Sequence, residues 1–350
     1  MLKMKILTRI VQFLDQAKNA LTPPPMRLRE LMFSYFQAQV VHAVAFLEIP
    51  EYTADSPKTL EELATLTQAD PDALGRLLRV SGLFGLTREV GARRYACTPV
   101  GQLLRQGIPG SMYSMAVSSG REWYGSMNHL PEAIRTGRCT FADHYGVPFF
   151  QYMAEHPDSA RYYNDSMTEI SRREVPAILE EYDFSSRKHV VDVAGGLGHC
   201  IGSILKKHPN LEGTLFDQES VIAKARTNTD LAARCNFATG NFFEEIPAGG
   251  DTYVMQRALH NWHDEEALKI LKNFRRALPD DGLLLLFETA IRENESDGGR
   301  LNSDLLMLCM MDGRERDREQ FRELLKAAGL ELKRIIPTRS ISSIIEAVGV

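Results

Sequence analysis

From residue 185 onward, short apolar runs alternate with amphipathic stretches, and this alternation restricts the fold more than any other feature of the chain. Residues 189–193, 213–217, 236–239, 252–259 and 283–288 have the length and composition of strands. Residues 201–207, 221–226, 265–278 and 318–328 carry helical spacing between and after them. Such a chain buries its apolar surface as an α/β fold, a doubly wound and mostly parallel sheet. Two more β-rich runs, 330–337 and 340–348, predict a closing antiparallel hairpin and bring the sheet to seven strands. Ligands of such sheets sit at the carboxyl ends of the strands. The segment after residue 193, Asp217, Asn241 and His260 all fall at such ends and predict one crevice.

The first of these ends reads Asp192-Val193-Ala194-Gly195-Gly196-Leu197-Gly198, with Asp217 about 20 residues further on. Glycines let backbone approach a ligand where a side chain would clash, and a carboxylate at the end of the next strand can accept both ribose hydroxyls. A pyrophosphate-binding loop would need a third glycine where Ile201 stands, counting from Gly196 and Gly198. The order of residues therefore fits a nucleoside cofactor with no phosphate to cradle, such as S-adenosylmethionine. A plain strand-to-helix turn is the alternative.

At 350 residues the chain exceeds one typical core. A net charge of -5, with 25% charged and 44% hydrophobic residues, disfavours both disorder and a basic nucleic-acid binder. No apolar run approaches the ~18 residues of a membrane span. Residues 1–20 scatter Lys3, Lys5, Arg9, Asp15 and Lys18 among apolar residues and predict an amphipathic helix instead of a signal peptide. Five dispersed cysteines without a C-x-x-C pair read as reduced thiols in a cytoplasmic protein.

Three regions are expected: a helical domain over 1–110, a helical linker over 111–184 and a ligand-binding sheet domain over 185–350. Residues 31–47 are apolar around much of a helical wheel and predict a helix buried between chains or domains. Thr59 and Glu62 form a capping box, Asp70-Pro71 opens a second helix through Leu83, and residues 86–90 and 94–98 predict a hairpin around Gly91. Helix, turn, helix and hairpin make a winged helix, which raises a DNA-binding reading. Between Glu51 and Arg105, however, basic residues are matched one for one by acidic ones, and a phosphate-tracking surface needs a surplus.

His260 lies in Arg257-Ala258-Leu259-His260-Asn261-Trp262-His263-Asp264-Glu265, between a strand and a helix that Asp264 could cap. An imidazole titrating near neutrality can take the proton of a phenol held within hydrogen-bond reach. A surface loop histidine is the alternative, as is a metal site built from His260, His263 and Asp264, which would lack a fourth ligand.

The winged helix, the glycine loop, Leu259-His260-Asn261-Trp262-x-Asp264-Glu265, Ala277-Leu278-Pro279-Asp280-x-Gly282 and Gly313-Arg314-Glu315-Arg316 occur in one order. Together they resemble the metal-independent small-molecule O-methyltransferases, which include plant caffeate enzymes, acetylserotonin O-methyltransferase and bacterial natural-product tailoring enzymes. The resemblance implies S-adenosylmethionine as methyl donor, S-adenosylhomocysteine as product, no metal, and a homodimer. It implies His260 as general base, with Glu288 and Glu315 orienting it. It places Asp192, Gly195, Gly196, Gly198, Asp217, Asn241, Phe242, Gln256 and Trp262 around the cofactor. Trp123, Met127, Phe149, Phe150, Asn164, Met167, Met307 and Met311 are the expected lining for a flat aromatic or polyketide-like acceptor, the last two one turn apart on a helix.

The chain departs from the family pattern at Asn241 and Asn261, usually and often Asp respectively, and at Gln256, often Lys. Ala194 replaces a glycine at what reads as the least demanding position of the loop. Some members of the superfamily bind the same cofactor for decarboxylation, hydroxylation or pericyclic steps, which is the alternative reaction. The sequence does not choose the acceptor.

Overall fold

A computed structural model describes residue 10, residues 13–14 and residues 17–350. Most of the helix expected over 1–20 therefore lies outside the described residues. The chain divides into two compact units, Met1–Arg105 and Gln106–Val350.

The N-terminal unit contains α1 (Pro24–Met32), α2 (Tyr35–Phe46), β1 (Lys58–Thr59), α3 (Leu60–Thr67), α4 (Pro71–Leu83), β2 (Thr87–Glu89) and β3 (Arg94–Cys97). The capping box closes in both directions: Glu62 N–H donates to Thr59 Oγ1 at 3.1 Å, and Thr59 N–H to Glu62 Oε2 at 2.6 Å. Asp70 Oδ1 accepts the Ala73 N–H at 2.8 Å and caps α4, with Pro71 in the first helical position. Leu60 and Leu63 of α3 and Leu74 and Leu78 of α4 are buried, each contributing about 1.5–3 kcal/mol. The three strands pair antiparallel in the order β1-β3-β2, completing a winged helix.

The single helix expected over 31–47 is two. The helical path breaks between α1 and α2 at Phe33 and Ser34, where Ser34 Oγ turns back to donate to the Leu31 carbonyl at 2.8 Å. Leu28, Leu31, Met32, Phe33, Tyr35 and Phe36 are exposed around this break.

In the second unit, helices α5 (Glu122–Met127), α6 (Phe149–Glu155) and α7 (Pro157–Glu181) precede the sheet. The chain then runs β4 (His189–Val193), α8 (His199–Lys207), β5 (Glu212–Asp217), α9 (Glu219–Ala225), β6 (Asn236–Thr239), β7 (Thr252–Gln256), α10 (Asp264–Ala277) and β8 (Leu283–Glu288). A small parallel pair, β9 (Ala290–Ile291) and β10 (Arg316–Asp317), brackets α11 (Gly298–Met310). Helix α12 (Arg318–Ala327) and the hairpin β11 (Leu330–Pro337) and β12 (Ser343–Gly349) finish the unit.

The seven-stranded sheet has the order β11-β12-β8-β7-β4-β5-β6, with β4 through β8 parallel and the hairpin antiparallel. Its central strands β4, β7 and β8 are buried on both faces because both faces are covered, whereas the edge strands β6 and β11 are partly exposed. Leu284 and Leu286 of β8 join the core under α10 and α12, while Leu283, Leu285 and Phe287 join the core under α8 and the end of α7. From β4 the chain winds outward through β5 and β6, then returns to β7 on the other side. The order reverses between β4 and β7, so the crevice opens at their carboxyl ends.

Strand β7 stops at Gln256 and not at Leu259. Arg257 takes φ 47°, a left-handed conformation that turns the chain out of the sheet and into a 3-10 turn over Leu259–Asn261.

Candidate active site

The turn after β4 is built from backbone constraints. Gly196 (φ 59°) and Gly198 (φ 78°) occupy left-handed conformations, and a Cβ on Gly196 would point into open space. Gly195 is needed for a different reason: a Cβ there would lie 2.6 Å from the Asp192 carboxyl carbon and closer still to the Leu215 side chain. Ala194, read as least demanding, takes φ 58° and so sits where glycine is preferred.

Two carboxylates hold this turn. Asp192 is buried beneath it, with Oδ2 accepting the Ile201 N–H at 3.1 Å and Oδ1 lacking a partner among the described residues. Burial pushes its carboxyl up to about 7. Asp217, at the end of β5, accepts the Gly196 N–H at 2.9 Å on Oδ2 and the Gln218 N–H at 2.7 Å on Oδ1. Each oxygen retains a second lone pair for a ligand hydroxyl. Burial raises this carboxyl too.

Beyond β6, the exposed Asn241 folds over its own turn, accepting the Phe243 N–H at 3.0 Å and donating to Glu244 Oε1 at 3.1 Å. Phe242 is half-buried, its carbonyl accepting from Asn273 Nδ2 at 2.7 Å. Gln256 turns toward α7, accepting from Ser171 Oγ at 3.0 Å and donating to Glu174 Oε2 at 3.4 Å. Ser171 Oγ also meets His199 Nδ1 at 3.1 Å.

Across the crevice, His260 is 5% exposed. Its Nδ1 lies 2.9 Å from Glu315 Oε1 and 3.8 Å from Glu288 Oε2. Glu288, at the end of β8, fixes the turn by accepting the N–H groups of Ala258, Leu259 and His260 on Oε1 at 3.1, 2.8 and 3.3 Å. Glu315 Oε1 also accepts from Ser303 Oγ at 2.7 Å, and its own N–H donates to Asp304 Oδ1 at 2.8 Å. Burial disfavours a charged imidazole, but the Glu315 and Glu288 carboxylates outweigh it and hold the His260 pKa above its ordinary value. Burial likewise opposes ionisation of both acids. For Glu315 the His260 contact prevails and lowers its pKa, whereas Glu288 stays raised.

Asp264 does not cap α10. Its Oδ1 instead accepts the Nε and one terminal nitrogen of buried Arg316 at 3.0 and 2.8 Å. His263 is half-buried and paired with Asp312 at 3.0 Å. His260, His263 and Asp264 thus face three different partners and do not converge on one ion.

Of the expected acceptor-lining residues, Trp123, Phe149, Met307 and Met311 meet in one apolar cluster with Phe141, Met153 and Tyr163. Phe150, more exposed, stacks on Trp262 with ring centroids 5.8 Å apart, and Phe243 packs edge-on against the same indole at 4.7 Å. Met127, Asn164 and Met167 are half-buried on α5 and α7 outside that cluster. The sequence reading missed Arg257, Ser303 and Glu174, which enclose the far side of the histidine cluster. An arginine at a strand end reads as a solvated terminus, and no local pattern signals the backbone turn that buries it. A separate cleft of about 680 Å³, bordered by Ile291, Arg292, Asp317 and Pro337, involves none of the residues at this crevice.

The O-methyltransferase domain family matches residues 127–331, and the O-methyltransferase dimerisation domain matches residues 29–107. A phenazine O-methyltransferase of Lysobacter antibioticus is 35% identical over 323 residues, spanning 91% of this chain and 95% of its own. The solved structure of LaPhzM superposes with a TM-score of 0.91 at 34% identity, covering 94% of this chain and all of that one. NcsB1, an O-methyltransferase from neocarzinostatin biosynthesis solved with S-adenosylmethionine and 2-hydroxy-5-methyl naphthoic acid, gives 0.79 at 28% identity, covering 90% and 96%. With more than half its length inside the catalytic family and the dimerisation domain ahead of it, the chain belongs to the O-methyltransferases that use S-adenosylmethionine.

Proposed function

We propose that the protein methylates a hydroxyl of an aromatic or polyketide-like small molecule, with His260 as general base. The observation that carries this reading is the buried His260–Glu315 contact at 2.9 Å. With Nδ1–H donated to Glu315, the neutral imidazole presents the lone pair of Nε2, the nitrogen able to accept a proton. Glu288 holds the turn that carries the ring. The acceptor oxygen, losing its proton to Nε2, becomes the nucleophile.

Bound S-adenosylmethionine supplies a methyl group already activated on a sulfonium and yields S-adenosylhomocysteine. Gly195, Gly196 and Gly198 would let backbone approach it, and the open space at Gly196 suits such a ligand. Asp217 would accept its ribose hydroxyls, Asn241 and Phe242 would contact the adenine, and Trp262 and Gln256 would border the methionine end. Asp192 would brace the loop from below. Because the donor is activated, most of the rate comes from holding the acceptor in line. Trp123, Phe149, Met307 and Met311 offer a flat apolar wall for this, with Phe150, Met127, Asn164 and Met167 at its margins.

The exposed apolar residues of α1 and α2 and the matched dimerisation domain support a homodimer. No described helix is long and apolar enough to cross a membrane. Five free cysteines fit a reducing cytoplasm.

The test is mass spectrometry of products after incubation with methyl-deuterated S-adenosylmethionine and a panel of phenolic and polyketide acceptors. Labelled ether from the wild type, reduced about 10²–10⁴-fold in His260→Ala, is the expected result. Undiminished labelling in the variant removes the base from this reading. Acceptor turnover without label selects a reaction in which the sulfonium serves only as a charge.

A further inference from the structure

Arg257 is the unexplained residue of this site. It lies three positions before His260, keeps a left-handed backbone without being glycine, and has a side chain only 12% exposed. Such strain persists only where surrounding structure holds it, and it concentrates at functional sites. The guanidinium donates to Thr289 Oγ1 and Ser303 Oγ, each at 3.4 Å, and stands 4.0 Å from Glu174 Oε1. Ser303 Oγ in turn donates to Glu315 Oε1, which meets His260 Nδ1. The arginine is thus connected to the imidazole through one hydroxyl and one carboxylate.

We propose that Arg257 is a positioning residue acting through His260: its fixed charge counters the buried carboxylates around the ring and keeps the ring available as a neutral base. The inference rests on the reading of His260 as base. Glu315 from the segment before β10, Glu288 from the end of β8, and Glu174 and the half-buried Tyr163 from α7 face this pair. Glu288 and Glu315 favour the imidazolium and Arg257 opposes it. Without that opposition, two carboxylates would hold a proton on the group that must take one. A hydrophobic side chain would fill the same space but supply no such field.

The experiment compares full-length wild type, Arg257→Met and Arg257→Lys by NMR titration of the His260 ring proton, assigned by its loss in His260→Ala, and by the pH dependence of kcat/KM. Arg257→Met is expected to raise the His260 titration and the acidic limb of the profile together by about one pH unit, a tenfold loss on that limb. The plateau at high pH should change far less, and Arg257→Lys should restore the wild-type limb. An unmoved titration with uniform loss at every pH assigns Arg257 to packing alone and overturns the proposal. Should Arg257→Met fail to fold, Glu174→Gln takes its place: freeing the guanidinium from its acidic neighbour must move the titration downward, and an unchanged titration overturns the coupling. If His260→Ala remains active while the Arg257→Met titration still moves, the base reading falls and the electrostatic coupling stands.

Discussion

The two ends of the crevice are built by different means. At the carboxyl end of β4, the shape is made by backbone: two left-handed glycines and one position where any Cβ collides with Asp192 and Leu215. At the end of β7, it is made by buried charge: an imidazole, Glu288, Glu315, Glu174 and Arg257, joined by hydrogen bonds or close ion contacts. A backbone site is specified by what is missing from the side chains and tolerates little volume. A charge site is specified by balance, so changes of charge there should alter chemistry more than binding.

The largest effect that separates them is expected from Glu315→Gln. The amide keeps the shape but removes the charge that stabilises imidazolium and fixes the Nδ1–H tautomer, so kcat should fall on the order of 10²–10⁴-fold. Because the Glu315 carboxylate raises the His260 pKa, its loss must move the acidic limb of the pH profile down. Calorimetric affinity for S-adenosylmethionine should hardly change. A comparable loss of cofactor affinity would erase the distinction between the two ends.

Asp192 sharpens the comparison because it is a buried charge beneath the backbone-built end. Its folded-state pKa of about 7 lies above the unfolded value near 4, so the native state disfavours the carboxylate. Stability from this group is complete below about pH 4, is lost as pH rises to about 7, and is constant above, a change on the order of 2–4 kcal/mol. Denaturant titrations of ligand-free wild type and Asp192→Asn should therefore diverge between pH 4 and 7, with the variant relatively more stable at pH 8. Parallel curves would mean that the carboxylate is ionised and solvated.

Gly195→Ala should show the reverse of Glu315→Gln. Forcing a methyl against Asp192 and Leu215 costs about 1–3 kcal/mol, so affinity for S-adenosylmethionine should weaken about 10–100-fold while kcat at saturation stays within a few-fold. An equal fall in kcat with unchanged affinity would place the loop in the chemical step.

The same contrast explains what could be read in the sequence. The continuous apolar runs of β4 and β8, the Thr59–Glu62 capping box and the glycines after β4 are local patterns with local causes, and the sheet and winged helix follow from them. The end of β7 at Arg257 and the Asp264–Arg316 pair depend on tertiary partners far along the chain. Glu288 and Glu315 are 28 and 55 residues from His260, so only family resemblance singled them out. Nothing singled out Arg257, whose role depends on three carboxylates reaching it from separate elements.

The smallest effect concerns the one loop position where sequence and backbone disagree. Ala194 has the left-handed φ of 58° and a Cβ that glycine would omit, and its N–H still bonds the Phe216 carbonyl at 2.9 Å. Relief of this strain by Ala194→Gly is worth about 1–2 kcal/mol, and the added freedom of the unfolded glycine returns about 0.4–1 kcal/mol of it. A net gain of up to about 1.6 kcal/mol is therefore expected in denaturant unfolding. Ala194→Val, whose branched side chain tolerates this φ poorly, should lose at least as much. Equal stability for Ala, Gly and Val would mean that the turn relaxes out of the left-handed region at Ala194, and that within it only Gly196 and Gly198 hold that conformation.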